Sequence, residues 1–252
     1  MARVVLREAE TLAPLRHDED AAVLALRTGE RDAAVAEATR LRNQPHALLL
    51  HLDPPYKEHL PPLTSPTGVD ALCAYAAPRP GVLAQQQAAG VRRRAARRAV
   101  AQAADLKKQS EARATAGFPP LIALKGVAPL TAGALAGVLG TGGAFTSEDQ
   151  FASYAGVAPL EASSAGRVRH RLNRGGNRHL NAILYRIAVT QGRCYPPAQA
   201  YLARRQHGGK TLKEARRCLK RYIARAIWRL WQRCLALRQT ASPPVDAFAE
   251  AA

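Results

Sequence analysis

Two adjacent serines followed by closely spaced arginines are the residues of this chain best suited to chemistry on a phosphate. Ser163 and Ser164 stand just before a glycine, and the small residues around them predict a flexible loop. A serine hydroxyl that attacks a phosphodiester needs fixed cations to stabilise the negative charge developing on the phosphate oxygens. Four arginines follow that can provide them: Arg167, Arg169, Arg171 and Arg174. The residues themselves leave a plain structural turn as the alternative, because serine pairs beside glycine are common in turns.

His170 lies among these arginines and adds an imidazole to the same loop. An imidazole can accept and return a proton near neutral pH, whereas a guanidinium cannot accept one. His170 is therefore a candidate for proton transfer during an attack by serine. The other interpretation is a simple contact with a phosphate oxygen.

The positive charge of the chain is confined to one segment that begins at this loop. The 252 residues carry a net charge of +18, and the 72 residues from Arg167 to Arg238 contain 19 basic side chains and one acidic one, Glu214. The other 180 residues carry 18 basic and 18 acidic side chains, which cancel. Such a concentrated surplus is typical of proteins that bind a polyanion, and nucleic acid is the commonest one.

Composition excludes several classes of protein. No run of 18 or more apolar residues is present, so no membrane-spanning helix is expected. Acidic residues near Met1 replace the apolar stretch of a signal peptide, which predicts a cytoplasmic protein with no membrane partner. No metal site is expected, because Cys and His nowhere cluster at zinc-ligand spacing. The cysteines are expected to be reduced thiols, and they are Cys73, Cys194, Cys218 and Cys234.

The first half of the chain predicts an extended helical segment. An interrupted amphipathic helix is expected from His17 to Leu41 and is expected to end at Pro45, before a Pro-rich loop from Asp53 to Pro66. Residues 85–115 contain few large apolar side chains and predict an exposed helix, with a basic cluster from Arg92 to Arg98. That cluster is either a solvated helix surface or an arm that follows the phosphates of a nucleic acid.

A glycine-containing turn precedes the serine loop. The stretch from Leu121 to Leu135 has the pattern of two short helices joined by a tight turn at Lys125 and Gly126, and the glycines from Gly140 to Gly143 are expected to end the second helix. Backbone N–H groups in such a turn suit a phosphate oxygen. Most turns of this kind are purely structural, so both interpretations stand.

Two amphipathic helices are predicted after the serine loop. Residues Asn177 to Gln191 place apolar side chains at helical spacing, and Thr211 with Glu214 forms a capping box that opens a helix ending near Leu237. The apolar stripe of this last helix is Leu212, Ala215, Leu219, Tyr222, Ile223, Ala226, Leu230 and Leu237, and its basic side is Lys213, Arg216, Arg217, Lys220 and Arg221. Trp228 and Trp231 are expected in the core rather than stacked on bases. No β-strand is predicted in this region.

Four stretches occur in a fixed order: Leu124 to Ala132, Phe145 to Pro159, Ser163 to Gly166, and His170 to Asn181. Together they resemble the C-terminal transposase domain of bacterial insertion-sequence transposases of the 110/116/902 group. The resemblance continues through Tyr201, Lys210 and Glu214 and covers about Leu121 to Trp231.

This resemblance implies DNA transposition by site-specific recombination, with DNA as the partner. Family members carry in this domain a nucleophilic serine that attacks the DNA backbone and forms a covalent intermediate. That serine stands just before a glycine, whereas this chain reads Ser-Ser-Ala-Gly. Keeping the spacing to the arginines that follow matches Ser164 to the nucleophile and leaves Ser163 as the fallback. The turn also departs from the family, because Ala128 stands where a second glycine is usual.

The resemblance further implies a second domain that this sequence does not reveal. Family members pair the serine domain with an N-terminal resolvase-like domain whose acids bind magnesium, and they use a structured RNA from the element to choose DNA. Residues 1–16 are too short for that domain, and Asp18 to Asp20 cannot converge on one metal from separate strands. We therefore expect an N-terminally truncated transposase with no cofactor in this chain. An active form is expected to be a homo-oligomer.

We expect a mainly α fold, in which a helical linker or coiled-coil-like arm precedes a compact helical domain with a helix-hairpin-helix-like element. The expected domains are a leader remnant at 1–16, a helical linker at 17–117 with its Pro-rich loop at 53–66, a serine transposase domain at 118–240 and a flexible tail at 241–252. The predicted DNA contacts are Lys125, Gly126, Arg167, Arg169, His170, Arg171, Arg174, Arg178, Lys213, Arg217, Lys220 and Arg221.

Two other functions remain open on these residues. A non-catalytic remnant of such a transposase would bind DNA or RNA through the basic segment without cutting it. A ribosomal or other housekeeping RNA-binding protein would explain the charge but not the ordered turn, serine loop and last helix, so it ranks last.

Overall fold

A computed structural model describes residues 18–63, 65–74, 83–140, 145–161, 170–171, 173 and 175–241. Almost all of this part is helical, which confirms the predicted mainly α fold. In chain order the helices are α1 (Glu19–Leu52), α2 (Tyr56–His59), α3 (Pro66–Ala74), α4 (Leu83–Gly117), α5 (Pro119–Ile122), α6 (Pro129–Gly140), α7 (Glu148–Tyr154), α8 (Arg178–Cys194), α9 (Pro196–His207) and α10 (Leu212–Ala241). Two short strands, β1 (Leu160–Glu161) and β2 (His170–Arg171), pair antiparallel between α7 and α8. No helix of the described part is long and apolar enough to cross a membrane.

The chain divides into two compact units, and each is described by itself. One unit is residues 26–110, and the other joins residues 1–25 to residues 111–252. The division therefore falls inside α1 and inside α4. We call residues 26–110 the linker unit and the remainder the C-terminal unit.

Within the linker unit, α1 differs from its prediction by continuing through Pro45 to Leu52. Proline removes one N–H bond to the preceding turn, but that loss does not end a helix whose next turn is held by packing. Here Leu49 lies in a small core with Tyr56, Leu63 and Leu72, all at most 4% exposed. The same packing forms α2 inside the stretch predicted to be a Pro-rich loop. The exposed helix expected at 85–115 is present as α4.

The C-terminal unit is built around one apolar core. Its largest fully buried side chains are Leu24, Phe118, Leu121, Leu135, Phe151, Leu180, Ile183, Leu184, Ile187 and Ile227. Apart from Phe118, which directly precedes α5, they come from α1, α5 to α8 and α10, so α10 packs against several helices at once. Trp231 is 4% exposed and stacks on Phe118 with ring centroids 5.6 Å apart, which confirms its expected place in the core.

Ion pairs in the C-terminal unit join the start of α1 to α4 and to the last part of α10. The Arg238 guanidinium on α10 donates to Asp18 at 2.6 Å and to Asp20 at 2.5 Å, and Arg113 on α4 donates to Asp20 at 2.8 Å. Arg238 also lies 4.9 Å from the ring centroid of Phe118. The acids that open α1 therefore fix its first turn beside α10.

Two helices and two strands of this unit differ from the predictions. Helices α7 and α9 were not expected, and the prediction that the region holds no strand is wrong, because β1 and β2 pair with Leu160 opposite Arg171 and Glu161 opposite His170. A two-residue strand is too short to show an alternating pattern, and a seven-residue helix too short to show a helical one. The expected pair α5 and α6, with its glycine turn, is present, as are α8 and α10.

Candidate nucleic-acid interface

The serine loop is held at its base by the two paired strands. Residues 162–169 connect β1 to β2, so the pairing of Glu161 with His170 brings the two ends of this loop together. Ser163, Ser164, Arg167, Arg169 and Arg174 lie outside the described residues, and for His170 and Arg171 only the backbone is described. The chemical roles of these seven residues therefore stay predictions.

Three asparagines, spaced four residues apart, fasten the segment before β1 to the segment after β2; we call them the asparagine clamp. Asn173 Nδ2 donates to the Ser153 carbonyl at 3.2 Å, and Asn177 Nδ2 donates to the Tyr154 hydroxyl at 2.8 Å. Asn181 Nδ2 donates to the carbonyl of Ala155 at 2.8 Å. Asn177 also caps α8, because its Oδ1 accepts from Leu180 N at 2.9 Å. The clamp thus positions both stems of the serine loop from the start of α8.

Two glycines let these stems touch. Gly156 has φ +66°, a conformation that favours glycine, and a Cβ on Gly176 would lie 2.4 Å from the backbone of Gly156. No larger residue is accommodated at Gly176 without moving the backbone. The close approach keeps the two stems in register beneath the loop.

A pocket of about 480 Å³ opens beside this base. One wall is the stem from Gly156 to Pro159 together with Asn173, and the other comes from α9, α10 and the turn between them. Six of its lining side chains are basic, and they are Arg205, Lys210, Arg217, Lys220, Arg221 and Arg225. Glu214 is the one acidic residue among the described residues that line it. This sign and density of charge suit an anion such as a phosphate.

Lys220 differs from its expected place on the exposed basic side of α10. It is only 6% exposed, and its ammonium donates to Asn181 Oδ1 at 2.8 Å. Burial, and then the charge of Arg217, lower the pKa of Lys220 below its ordinary value of 10.5. α10 has neighbours on several sides, so a position on its polar side in sequence faces α8 in the fold. Whether Lys220 contacts DNA remains a prediction.

Acidic residues at the start of α7 hold two of the pocket arginines. Arg225 Nε lies 3.1 Å from Glu148 Oε1, and an Arg221 nitrogen lies 3.7 Å from Asp149 Oδ1. These pairs join α10 to α7, the helix that leads into the first stem of the serine loop. The pairs orient the guanidinium groups but leave donors for a ligand, because each guanidinium has five N–H groups.

The carboxylate of Glu214 is committed to the start of α10. It accepts from the backbone N and from the hydroxyl of Thr211, both at 2.8 Å, which confirms the predicted capping box. These two hydrogen bonds lower the pKa of Glu214, and the nearby cations lower it by a smaller amount. The acid is therefore engaged within the helix cap, and the basic side chains dominate the pocket.

An aromatic edge completes the pocket, and the sequence analysis missed it. Tyr201 and Tyr222 both line the cavity with ring centroids 5.2 Å apart in an edge-to-face arrangement. The Tyr201 hydroxyl accepts from Arg205 Nε at 3.1 Å, and burial raises the pKa of that hydroxyl. Tyr222 was assigned to the apolar stripe of α10, yet it is 53% exposed. The one sequence signal for this exposure was the hydroxyl of Tyr222, which is unusual in a stripe of core residues.

The glycine turn lies further along α8 than the asparagine clamp. Gly126 has φ +88°, which explains the glycine, and the Lys125 carbonyl accepts from Gln191 Nε2 at 2.8 Å. Gln191 is ten residues beyond Asn181, or roughly 15 Å along the helix axis. The turn and the pocket are therefore separate features of one helix, and the Lys125 side chain is exposed.

Arg178, Lys213 and the pocket residue Arg217 are exposed. Arg178 is the first residue of α8, while Lys213 and Arg217 are exposed on α10. Among the described residues, no group of three or more His, Cys, Asp or Glu is placed to hold a metal ion. Asp18 and Asp20 are instead occupied by Arg238 and Arg113. The described cysteines Cys194, Cys218 and Cys234 are free thiols.

Comparison with known proteins relates this chain to proteins of insertion elements. Residues 120–203 match the family described as Transposase IS116/IS110/IS902 family. The chain is also similar to the Streptomyces coelicolor protein described as "Insertion element IS110 uncharacterized 43.6 kDa protein", at 34% identity over 98 residues. Those residues are 38% of this chain and 24% of the relative, so the match spans about a quarter of the relative's length. The matched family segment includes the glycine turn, both loop stems and α8, and it ends before α10.

Proposed function

We propose that this chain acts on DNA in the transposition of an insertion element, because residues 120–203 match the family described as Transposase IS116/IS110/IS902 family. The observation that carries the proposal is the pocket with six basic side chains at the base of the serine loop. The same stems that the strands and the asparagine clamp hold together form one wall of that pocket. A DNA strand bound there would pass beside the loop that contains the candidate nucleophile.

In the proposed reaction Ser164 attacks a DNA phosphodiester, with Ser163 as the fallback. The serine oxygen forms a bond to phosphorus, and the bond from phosphorus to the leaving deoxyribose oxygen breaks. The serine proton passes to His170 or to water, and the leaving oxygen takes up a proton. Arg167, Arg169 and their neighbours in the loop stabilise the charge on the phosphate oxygens. One phosphodiester is replaced by another, so the broken strand can later be rejoined without an external source of energy.

Other parts of the proposal concern partners. Lys125, Gly126, Arg178, Lys213, Arg217 and Arg221 contribute phosphate contacts, which are sequence-independent and give salt-dependent binding. A structured RNA from the element selects the DNA, and several copies of the chain act together because two duplexes must be joined.

The competing function is binding of DNA or RNA without strand cleavage. The charge between Arg167 and Arg238 favours this function equally, because binding a polyanion requires cations but no nucleophile. A covalent product separates the two functions, since only an attacking serine leaves the protein attached to a strand.

The test is to trap that product. The full chain, purified with its bound nucleic acid, is incubated with end-labelled duplexes spanning each junction of its own element, with and without RNA transcribed from that element. A labelled species that survives denaturing electrophoresis and disappears with protease is expected. Ser164→Ala should abolish it and Ser163→Ala should retain it. Equal adduct from the Ser164→Ala variant contradicts the assignment, and no adduct from any form favours the binding function.

A further inference from the structure

One side of the pocket presents an exposed aromatic ring. Tyr222 is 53% exposed within the lining, and its ring meets Tyr201 edge to face. Arg205 in turn holds Tyr201, because its Nε donates to the Tyr201 hydroxyl and its guanidinium carbon lies 5.3 Å from the Tyr201 ring centroid. A tyrosine supported in this way is a rigid surface on which a flat ring can stack.

The same wall of the pocket also presents cationic donors that are not fully used. The Lys220 ammonium has three N–H groups, and its bond to Asn181 engages one of them. Within the described part of the chain, the Arg221 Nε atom is buried without a hydrogen-bond partner. Buried donors of this kind favour an anion that brings several acceptors, and a phosphate diester is such an anion.

From this juxtaposition we propose that the pocket binds one unpaired nucleotide of a DNA strand. Its base stacks on Tyr222, and its phosphate is bound at Lys220 and Arg221. Bases inside a duplex are already stacked on both faces, so only an unpaired or extruded base can use the tyrosine. The volume of about 480 Å³ lies in the range of pockets that enclose small molecules, roughly 300–1,000 Å³, and is adequate for a nucleotide.

The identity of the strand rests on the proposed function. The stem from Gly156 to Pro159 is one wall of the pocket and also the approach to the serine loop, whose proposed substrate is DNA. An unpaired nucleotide bound in the pocket would belong to the DNA strand that passes beside the serine loop. The pocket would thereby recognise DNA whose strands are separated, while the exposed arginines bind either duplex or single strand.

Binding measurements test this role of Tyr222. The full chain and its variants are titrated with fluorescein-labelled (dT)12 and with a labelled 12-base-pair duplex, and affinity is followed by anisotropy at several salt concentrations. Tyr222→Ala is expected to weaken binding of (dT)12 by about tenfold, within the range for loss of one base–aromatic stack, and to leave duplex binding within about twofold. Tyr222→Trp is expected to restore the affinity for (dT)12.

The matched control is Tyr185→Ala, because Tyr185 is 47% exposed on α8 and lies outside the described lining of the pocket. It should change neither affinity. Equal losses for both probes in Tyr222→Ala, or an equal effect of Tyr185→Ala, would overturn the proposal. A dependence on Tyr222 seen with (rU)12 but absent with (dT)12 would overturn the assignment to DNA.

A photochemical measurement locates the base directly. An oligonucleotide containing 5-iododeoxyuridine is irradiated with the wild-type chain, and the attached peptide is identified by mass spectrometry. Attachment at Tyr222 or Tyr201 is expected, and attachment only at other residues contradicts the pocket. These readouts are independent of the serine adduct. If Ser164→Ala abolishes the adduct and Tyr222→Ala leaves (dT)12 binding unchanged, the proposed function stands and this inference is refuted. If Ser164→Ala leaves the adduct unchanged and Tyr222→Ala weakens (dT)12 binding, this inference stands and the proposed function is refuted.

Discussion

At the scale of single residues, Lys220 combines structural and electrostatic roles. Its ammonium is 6% exposed and bonds to Asn181, whose amide nitrogen in turn binds the Ala155 carbonyl at the end of α7. A charge on α10 is therefore connected through one side chain to the stem of the serine loop. Burial of a cation disfavours its charged form, and this explains why the pKa of Lys220 is lowered.

Lys220 is expected to lose its proton at lower pH than it does in the unfolded chain. The unfolded chain, in which the pKa is ordinary, then binds this proton more tightly than the folded chain. Lys220 therefore costs stability below its lowered pKa, and the cost disappears as the pH rises toward 10.5. The ¹³Cε resonances of lysine-labelled protein measure this pKa, and Lys220→Arg identifies the resonance.

Saturation with (dT)12 is expected to move the same pKa upward, because a phosphate near the ammonium favours the charged form. A pKa of Lys220 equal to its value in the unfolded chain, with and without the oligonucleotide, would contradict both the burial and the proposed ligand.

The exposure of Lys220 and Tyr222 was not predictable from the sequence. Spacing along α10 assigned Lys220 to the solvent side and Tyr222 to the core, and the structure reverses both. The assignment assumes one buried face, whereas α10 packs against helices on several sides. Which side opens to a pocket depends on α9 and on the stem near Gly156, and these neighbours are distant in sequence.

At the scale of elements, the serine loop depends on the contact between its two stems. A Cβ at Gly176 would lie 2.4 Å from Gly156, while one at Gly175 meets nothing closer than 3.5 Å. These neighbouring glycines therefore differ sharply in the space around them. Helices α8 and α10 followed from periodicity and capping and α4 from its composition, but this contact and the two-residue strands had no periodic signal.

Gly176→Ala is expected to destabilise the C-terminal unit by about 1–3 kcal/mol, the usual range for forcing extra volume into a packed site. Gly175→Ala is the control and should change stability by less than about 0.5 kcal/mol. Urea unfolding followed by tryptophan fluorescence reports on this unit alone, because Trp228 and Trp231 both lie on α10. Equal effects of the two substitutions would show that the stems are not in contact.

At the scale of the whole molecule, the C-terminal unit includes the first turn of α1 as well as the last helix. Arg238 holds Asp18 and Asp20 and covers the ring of Phe118, so the unit begins well before the segment that matches the transposase family. The predicted boundary at residue 118 followed the change of composition there. Contacts between residues more than two hundred positions apart left no mark in local sequence.

Arg238→Ala is expected to destabilise the C-terminal unit by about 1–2 kcal/mol, since it leaves Asp18, whose side chain is 15% exposed, without its cation. The effect should shrink at high salt because the pair is partly exposed. Arg233→Ala on the same helix is the control, as Arg233 is exposed and should matter little. Urea unfolding at two salt concentrations, followed by tryptophan fluorescence, measures the free energy of unfolding of both variants. Equal losses of stability would contradict the ion pairing of Arg238 with Asp18 and Asp20.

The central claim is that the loop held between β1 and β2 delivers a serine to a DNA phosphodiester. The most direct measurement is mass spectrometry of the protein–DNA adduct after digestion with protease and nuclease. The account predicts a peptide from residues 160–171 that carries a nucleotide phosphate on Ser164. A nucleotide on Ser163 would move the assignment to the fallback, and a nucleotide attached outside this loop would contradict the claim.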